Sequence, residues 1–189
     1  MVLPFHNPFE WLEARSQTKA LWLLGTGTVL LLIVLSIVDQ PLRTVAAPNG
    51  IVSFELAKNI ETSREILNTW SGRAQIFAAF SLGIDYLFLI FYALFLGLAV
   101  FRLTRHDFKG KTWWARLGTI LVWAPFWAAV FDALENYCLI RQLFGAQNEL
   151  LTLFARSFAL LKFLLIGLTL LYLALGLIRL LLRQLLATK

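Results

Sequence analysis

Four stretches of this chain are too long and too apolar to be the core helices of a small soluble domain. They run over about 20–38, 75–101, 113–140 and 150–180. A bilayer span needs about 20 mostly apolar residues, and each stretch reaches that length. No water inside the hydrocarbon can satisfy exposed peptide groups, so each stretch must close its own hydrogen bonds as a helix. The composition agrees. The chain is 59% hydrophobic and 15% charged, whereas soluble domains are about 45–50% apolar and about 25% charged. The expected fold is an all-α integral membrane protein: four transmembrane helices in an up-down bundle, forming one membrane domain over 1–189. The last three stretches exceed the minimum span, so they should tilt or project beyond the hydrocarbon.

Lys and Arg set the expected orientation. Arg102, Arg105, Lys109, Lys111 and Arg116 crowd the loop between the second and third spans, against Asp107 alone. The tail carries Arg179, Arg183 and Lys189 with no acid. These ends are expected in the cytoplasm, and both termini with them. The 39–74 loop balances Arg43, Lys58, Arg64 and Arg73 against Asp39, Glu55, Glu61 and Glu65, so it is expected outside. The net charge of +6 is juxtamembrane and suits anionic headgroups, not nucleic acid. The lone Cys138 rules out an internal disulfide and any Cys-Cys metal motif; it reads as a small packing residue. The first span is longer than a signal-peptide core and follows Glu10 and Glu13, so it reads as an uncleaved anchor.

Residues 1–19 form a cytoplasmic lead in which Pro4, Phe5, Pro8, Phe9 and Trp11 suggest an interfacial anchor. In the outer loop, Pro41, Pro48, Asn49 and Gly50 mark turns. Val52, Phe54 and Leu56 alternate with Ser53, Glu55 and Ala57, which suggests an extended stretch. From about Asn59 the pattern turns helical, with Ile66, Leu67 and Trp70 on one face. This amphipathic segment should lie on the outer end of the bundle, with Trp70 at headgroup level, and it could serve as a lid. Trp113 and Trp114 fit an interfacial belt. Pro125 should bend the third span.

The functional signal is polar. Asp85 falls in the second span, Asp132, Glu135 and Asn136 in the third, and Arg156 and Lys162 in the fourth. Ionisable groups inside a bilayer are costly and normally face a bundle interior, a cavity or a partner. At 1.5 Å per residue, Asp85 lies roughly 15 Å below the outer end of its span. On the same scale Glu135 and Asp132 lie roughly 9 and 14 Å down, and Arg156 and Lys162 roughly 9 and 18 Å down. These overlapping depths predict one shared site. Asp132 and Glu135 are i,i+3 neighbours on one helix face. Two such carboxylates resist joint ionisation unless a cation intervenes, and Arg156 or Lys162 could supply it. Gly83 should permit close helix approach. Ser81, Tyr86 and Tyr92 add hydroxyls. Trp123, Trp127 and Phe131 could wall a pocket beside the acids or serve as ordinary packing.

The catalytic inventory is thin. His6 and His106 are expected in the cytoplasm, away from the acids, which argues against a His-based metal centre or a Ser-His hydrolase. No GxSxG, HExxH or Walker A motif is present. No cofactor or metal is expected.

The runs Gly50-Ile51-Val52-Ser53-Phe54-Glu55-Leu56-Ala57, Glu65-Ile66-Leu67 with Trp70, Ser81-Leu82-Gly83-Ile84-Asp85-Tyr86-Leu87-Phe88 with Tyr92, and Asp132-Ala133-Leu134-Glu135-Asn136 resemble a group of uncharacterised bacterial four-span membrane proteins. That resemblance implies the four-span fold and a bacterial inner membrane, and carries no activity with it. Three functional readings stand. In the first, the acids form a pocket in the outer half of the bilayer that binds a small amphipathic or lipid-like ligand. In the second, they only fix helix packing in a structural or assembly protein. In the third, they serve carboxylate acid/base chemistry in a membrane isomerase or hydrolase. The bilayer is the expected partner, and homo-oligomerisation is left open.

Overall fold

The computed structural model describes residues 8–107, 113–146 and 148–187. Pro4, Phe5, His6, Lys109, Lys111 and Lys189 lie outside the described residues. Among the described residues, seven α-helices follow in order: α1 (Ala14–Val38), α2 (Ile51–Glu55), α3 (Ile60–Thr69), α4 (Gly72–Asp107), α5 (Trp113–Leu121), α6 (Ala124–Leu143) and α7 (Glu149–Ala187). A 3₁₀ turn, Gln40–Leu42, follows α1. No strand occurs among the described residues. Four segments are long and apolar enough to cross a membrane: Ala14–Leu42, Gly72–Arg105, Trp113–Leu143 and Glu149–Leu186. The protein is a helical membrane protein.

The third span is broken, as Pro125 requires. Proline brings no N–H, so the carbonyl of Leu121 loses its helical partner. The chain leaves helix geometry at Val122 and Trp123, and α6 restarts at Ala124 with Pro125 in its first turn.

α4, α6 and α7 form the packed heart of the bundle, and α1 lies against α4. Gly25 and Gly27 permit that approach, since a Cβ at either would strike the rings of Phe95 and Phe91. Only 11% of the most apolar window of α1 is buried by the rest of the protein, so most of its surface is left for lipid.

α2 and α3 fold over one end of the bundle. Their core joins Leu42, Phe54, Ile66 and Trp70 to Ala78 and Leu82 of α4, Leu139 of α6 and Ala155 of α7. The run from Val52 to Leu56 is helical, not extended. Asp39 Oδ1 accepts from the Ile51 N–H at 2.7 Å and so starts α2. Gly50 makes the preceding turn at φ 56°, where the Asp39 carboxylate occupies the space a Cβ would need. α3 starts on Asn59, whose Oδ1 accepts from the Thr62 N–H at 3.0 Å.

This cap is stitched down by polar contacts. The Ser63 and Thr152 hydroxyls both donate to Gln142 Oε1 at 2.8 Å. Ile60 N–H donates to Glu149 Oε2 at 3.0 Å. Trp70 is not exposed to its surroundings: it is buried, donates from Nε1 to the Leu42 carbonyl at 2.9 Å, and packs edge-on against Phe54. At the opposite end Phe9 is likewise buried, with its ring centroid 5.9 Å from Phe101 and 6.0 Å from Phe126. The lead is thus anchored in the bundle by Phe9, while Trp11 remains exposed.

Candidate functional site

Beneath the cap, Lys162 of α7 sits among carboxylates. Its Nζ lies 2.8 Å from Glu135 Oε2, 2.9 Å from Asp132 Oδ1 and 3.4 Å from Glu55 Oε2. All four side chains are buried, Glu135 completely. Helix geometry explains the placement. Asp132, Glu135 and Leu139 continue the buried stripe of α6, and Ala155, Ala159 and Lys162 that of α7, at three- and four-residue spacing.

Tyr92 of α4 donates its hydroxyl to Asp132 Oδ2 at 3.0 Å. It belongs to the same α4 stripe as Leu82, Asp85 and Leu89, since i and i+7 share a face. Asp85 enters through Asn136, whose Nδ2 donates to Asp85 Oδ2 at 2.6 Å. Tyr86 donates to the Ala133 carbonyl at 3.1 Å and so ties α4 to α6.

Several expectations need correction. Arg156 joins none of these pairs. It is one residue beyond Ala155, and one residue turns about 100° around a helix axis, so it leaves the buried stripe. Ser81 is buried but bonds to no member of the cluster. Gly83 faces open space and permits no close approach. Trp123 and Trp127 do line a groove, of about 570 Å³, with Thr119, Ile120, Ala124 and Leu168. That groove is apolar, lies between the broken third span and α7, and includes none of the acids. Phe131 is absent from its lining and stacks on Phe158 instead. Trp127 lies about 120° around α6 from the face bearing Leu139, and it is 58% exposed.

Glu55 is the member that sequence reasoning missed. Its alternating neighbours suggested an extended loop, and its charge was balanced within that loop. An acid set between Phe54 and Leu56 was the available signal. In a helix it is carried inward beside Phe54.

The cluster carries an excess of acid. Three carboxylates surround one ammonium, which leaves two negative charges if all are ionised. Burial pushes the Glu55 carboxyl above the usual range; Lys162 opposes this, Asp132 adds to it, and a hydrogen bond with the Glu135 carboxyl opposes it. Two carboxyls can share a hydrogen bond only when one is protonated. Glu135 Oε2 and Glu55 Oε2 face the Lys162 ammonium at 2.8 and 3.4 Å, while Glu135 Oε1 is buried with no protein N–H or ammonium beside it. The site therefore has room, in chemical terms, for a proton or another cation. Among the described residues no group of three or more His, Cys, Asp or Glu is arranged to hold a metal ion. No protein-family model, curated protein or solved structure matches the chain, so the chemistry of this cluster carries the functional reading.

Proposed function

We propose that the protein is a membrane binding protein whose acidic cluster receives the polar head of a small amphipathic or lipid-like ligand. The observation that supports this is the excess of buried acid: Asp132, Glu135 and Glu55 surround the one ammonium of Lys162 at 2.9, 2.8 and 3.4 Å. A buried charge left without a partner is costly, so such an excess favours a further cationic or donor group. Asp85, Asp132, Glu135 and Glu55 form the acidic pole, with Lys162, Asn136 and Tyr92 fixing their positions. The Lys and Arg pattern supports an orientation with both termini and the 102–112 loop cytoplasmic and the cap outside.

The test is native mass spectrometry of the protein extracted with its membrane lipid. A bound small amphipath is expected in wild type and lost in the Asp132→Asn, Glu135→Gln double variant. No bound species in either protein would overturn the reading.

One observation favours a second reading. Lys162 joins carboxylates from α2 and α6 to α7, so the same cluster locks the cap to two spans. If locking is its whole role, the double variant lowers the melting temperature and changes no binding.

A further inference from the structure

We infer that α7 pairs in parallel with α7 of a second copy of this chain, along the face turned away from its own bundle.

The length of α7 is the first reason. Its 39 residues make a helix roughly 58 Å long, against a hydrocarbon layer of about 30 Å. One end packs under the cap through Ala155. Farther along, the Tyr172 hydroxyl donates to the Trp114 carbonyl at 3.3 Å, and the two rings pack together. Trp114 belongs to the pair that fits an interfacial belt. The helix runs on unbroken from Tyr172 to Ala187, which carries it roughly 22 Å past that level. The projecting piece is apolar on one side, where Leu177, Ile178, Leu181, Leu182, Leu185 and Leu186 are all exposed. With no break at which α7 could turn onto the bilayer, that side meets water unless another chain covers it.

The register is the second reason. The same side continues back into the hydrocarbon with a strict seven-residue repeat. Leu164, Leu171, Ile178 and Leu185 hold one position of it; Leu160, Gly167, Ala174 and Leu181 hold the other, and all eight are exposed. This is the a/d seam of a coiled coil. It lies opposite the buried stripe of Lys162, Thr169 and Gly176. In hydrocarbon, apolar side chains gain little by meeting, and helices associate by close packing of small residues. Gly167 and Ala174 stand in that part of the seam, and a Cβ at Gly167 would meet nothing within 4 Å. Beyond the hydrocarbon, Ile178, Leu181 and Leu185 gain by leaving water.

A second copy fits this face. It sits in the membrane in the same orientation, so the two seams run parallel and identical layers meet, leucine on leucine and glycine on glycine. Arg179 and Arg183 fall outside the seam, so the pairing opposes no like charges. Half-exposed leucines offer roughly 60 Å² each. Two copies joined along the seam and its flank of Leu161, Leu168, Leu175 and Leu182 therefore bring together about 1,200 Å², which reaches the size of a specific interface.

The experiment uses the full chain in its native membrane, with Cys138→Ser as background and single cysteines on the projecting piece. Under copper-phenanthroline oxidation, Ile178→Cys and Leu185→Cys are expected to give a product of twice the chain mass. Leu180→Cys, on the other side of the helix, is expected to give little. In nanodiscs and on dilution in detergent, energy transfer between labelled copies is expected to weaken about tenfold in the Gly167→Leu, Ala174→Leu double variant. Both side chains point away from their own bundle, so the melting temperature should hold and separate pairing from folding. Absence of a cross-link at Ile178 and Leu185, or equal cross-linking at Leu180, would overturn the inference. So would a product of any other mass, which would mean that a different protein covers this face, or energy transfer unchanged in the double variant.

Discussion

Glu55 Oε2 on the cap helix α2 lies 3.4 Å from Lys162 Nζ in the last span. An element outside the four spans therefore completes the charge environment of a lysine inside one of them. The cap and the buried cluster form one unit, and a change in either should be felt in the other.

Lys162→Met removes the cluster's central cation and leaves Asp132, Glu135 and Glu55 without compensation. Breaking a buried pair in this way costs about 3–5 kcal/mol. Thermal unfolding in detergent is expected to shift strongly downward. Adding Glu135→Gln to Lys162→Met should recover part of the loss, because one uncompensated charge is removed. A Lys162→Met protein as stable as wild type would show that the ion cluster contributes nothing net.

The raised Glu55 carboxyl makes stability depend on pH. The folded state holds this proton more tightly than the unfolded chain, whose ordinary value is 4.5. The stabilisation is fully present below that value and is lost as the pH rises through the folded one. Wild-type melting temperature should therefore fall as pH rises above about 4.5, and Glu55→Gln should flatten the slope. A steeper slope in the variant would contradict this assignment.

Gln142 joins the cap to α7 by accepting from both Ser63 and Thr152 at 2.8 Å. Gln142→Leu leaves two buried hydroxyls without that acceptor, at a cost of about 1–3 kcal/mol. The weakness should be local. Amide exchange across Ile60–Thr69 is expected to accelerate about tenfold or more, while the centre of α4 stays protected. Unchanged exchange would mean that apolar packing alone holds α3.

Orientation is open to a labelling test. Ser63 is buried beneath α3, so a cysteine there would report poorly; Asn68 and Arg105 are exposed. An impermeant maleimide applied to intact cells should label Asn68→Cys. It should label Arg105→Cys only after permeabilisation. Cys138 is buried, so the background should be low. The reverse pattern would invert the proposed topology.

The spans, the break at Pro125 and the shared face of Asp132 and Glu135 were legible in the chain because each depends on local covalent geometry. A long apolar run must be a helix in lipid, proline must interrupt one, and i,i+3 residues must share a face. Lys162 and Arg156 were not separable by depth alone. Their azimuth separates them, and azimuth has meaning only once the buried face of α7 is known. Phe9 and Trp70 read as interfacial anchors because aromatics commonly are, yet each found a cavity among residues distant in sequence.

What the sequence by itself determined is the number of spans and the presence of costly charges within them, since hydropathy acts residue by residue. Which charges meet was decided by tertiary structure. The cap had to fold as helix, dock on α4, α6 and α7, and turn Glu55 inward before the acids outnumbered Lys162 by two. That count depends on packing between distant segments, and no local pattern around Glu55 encodes it.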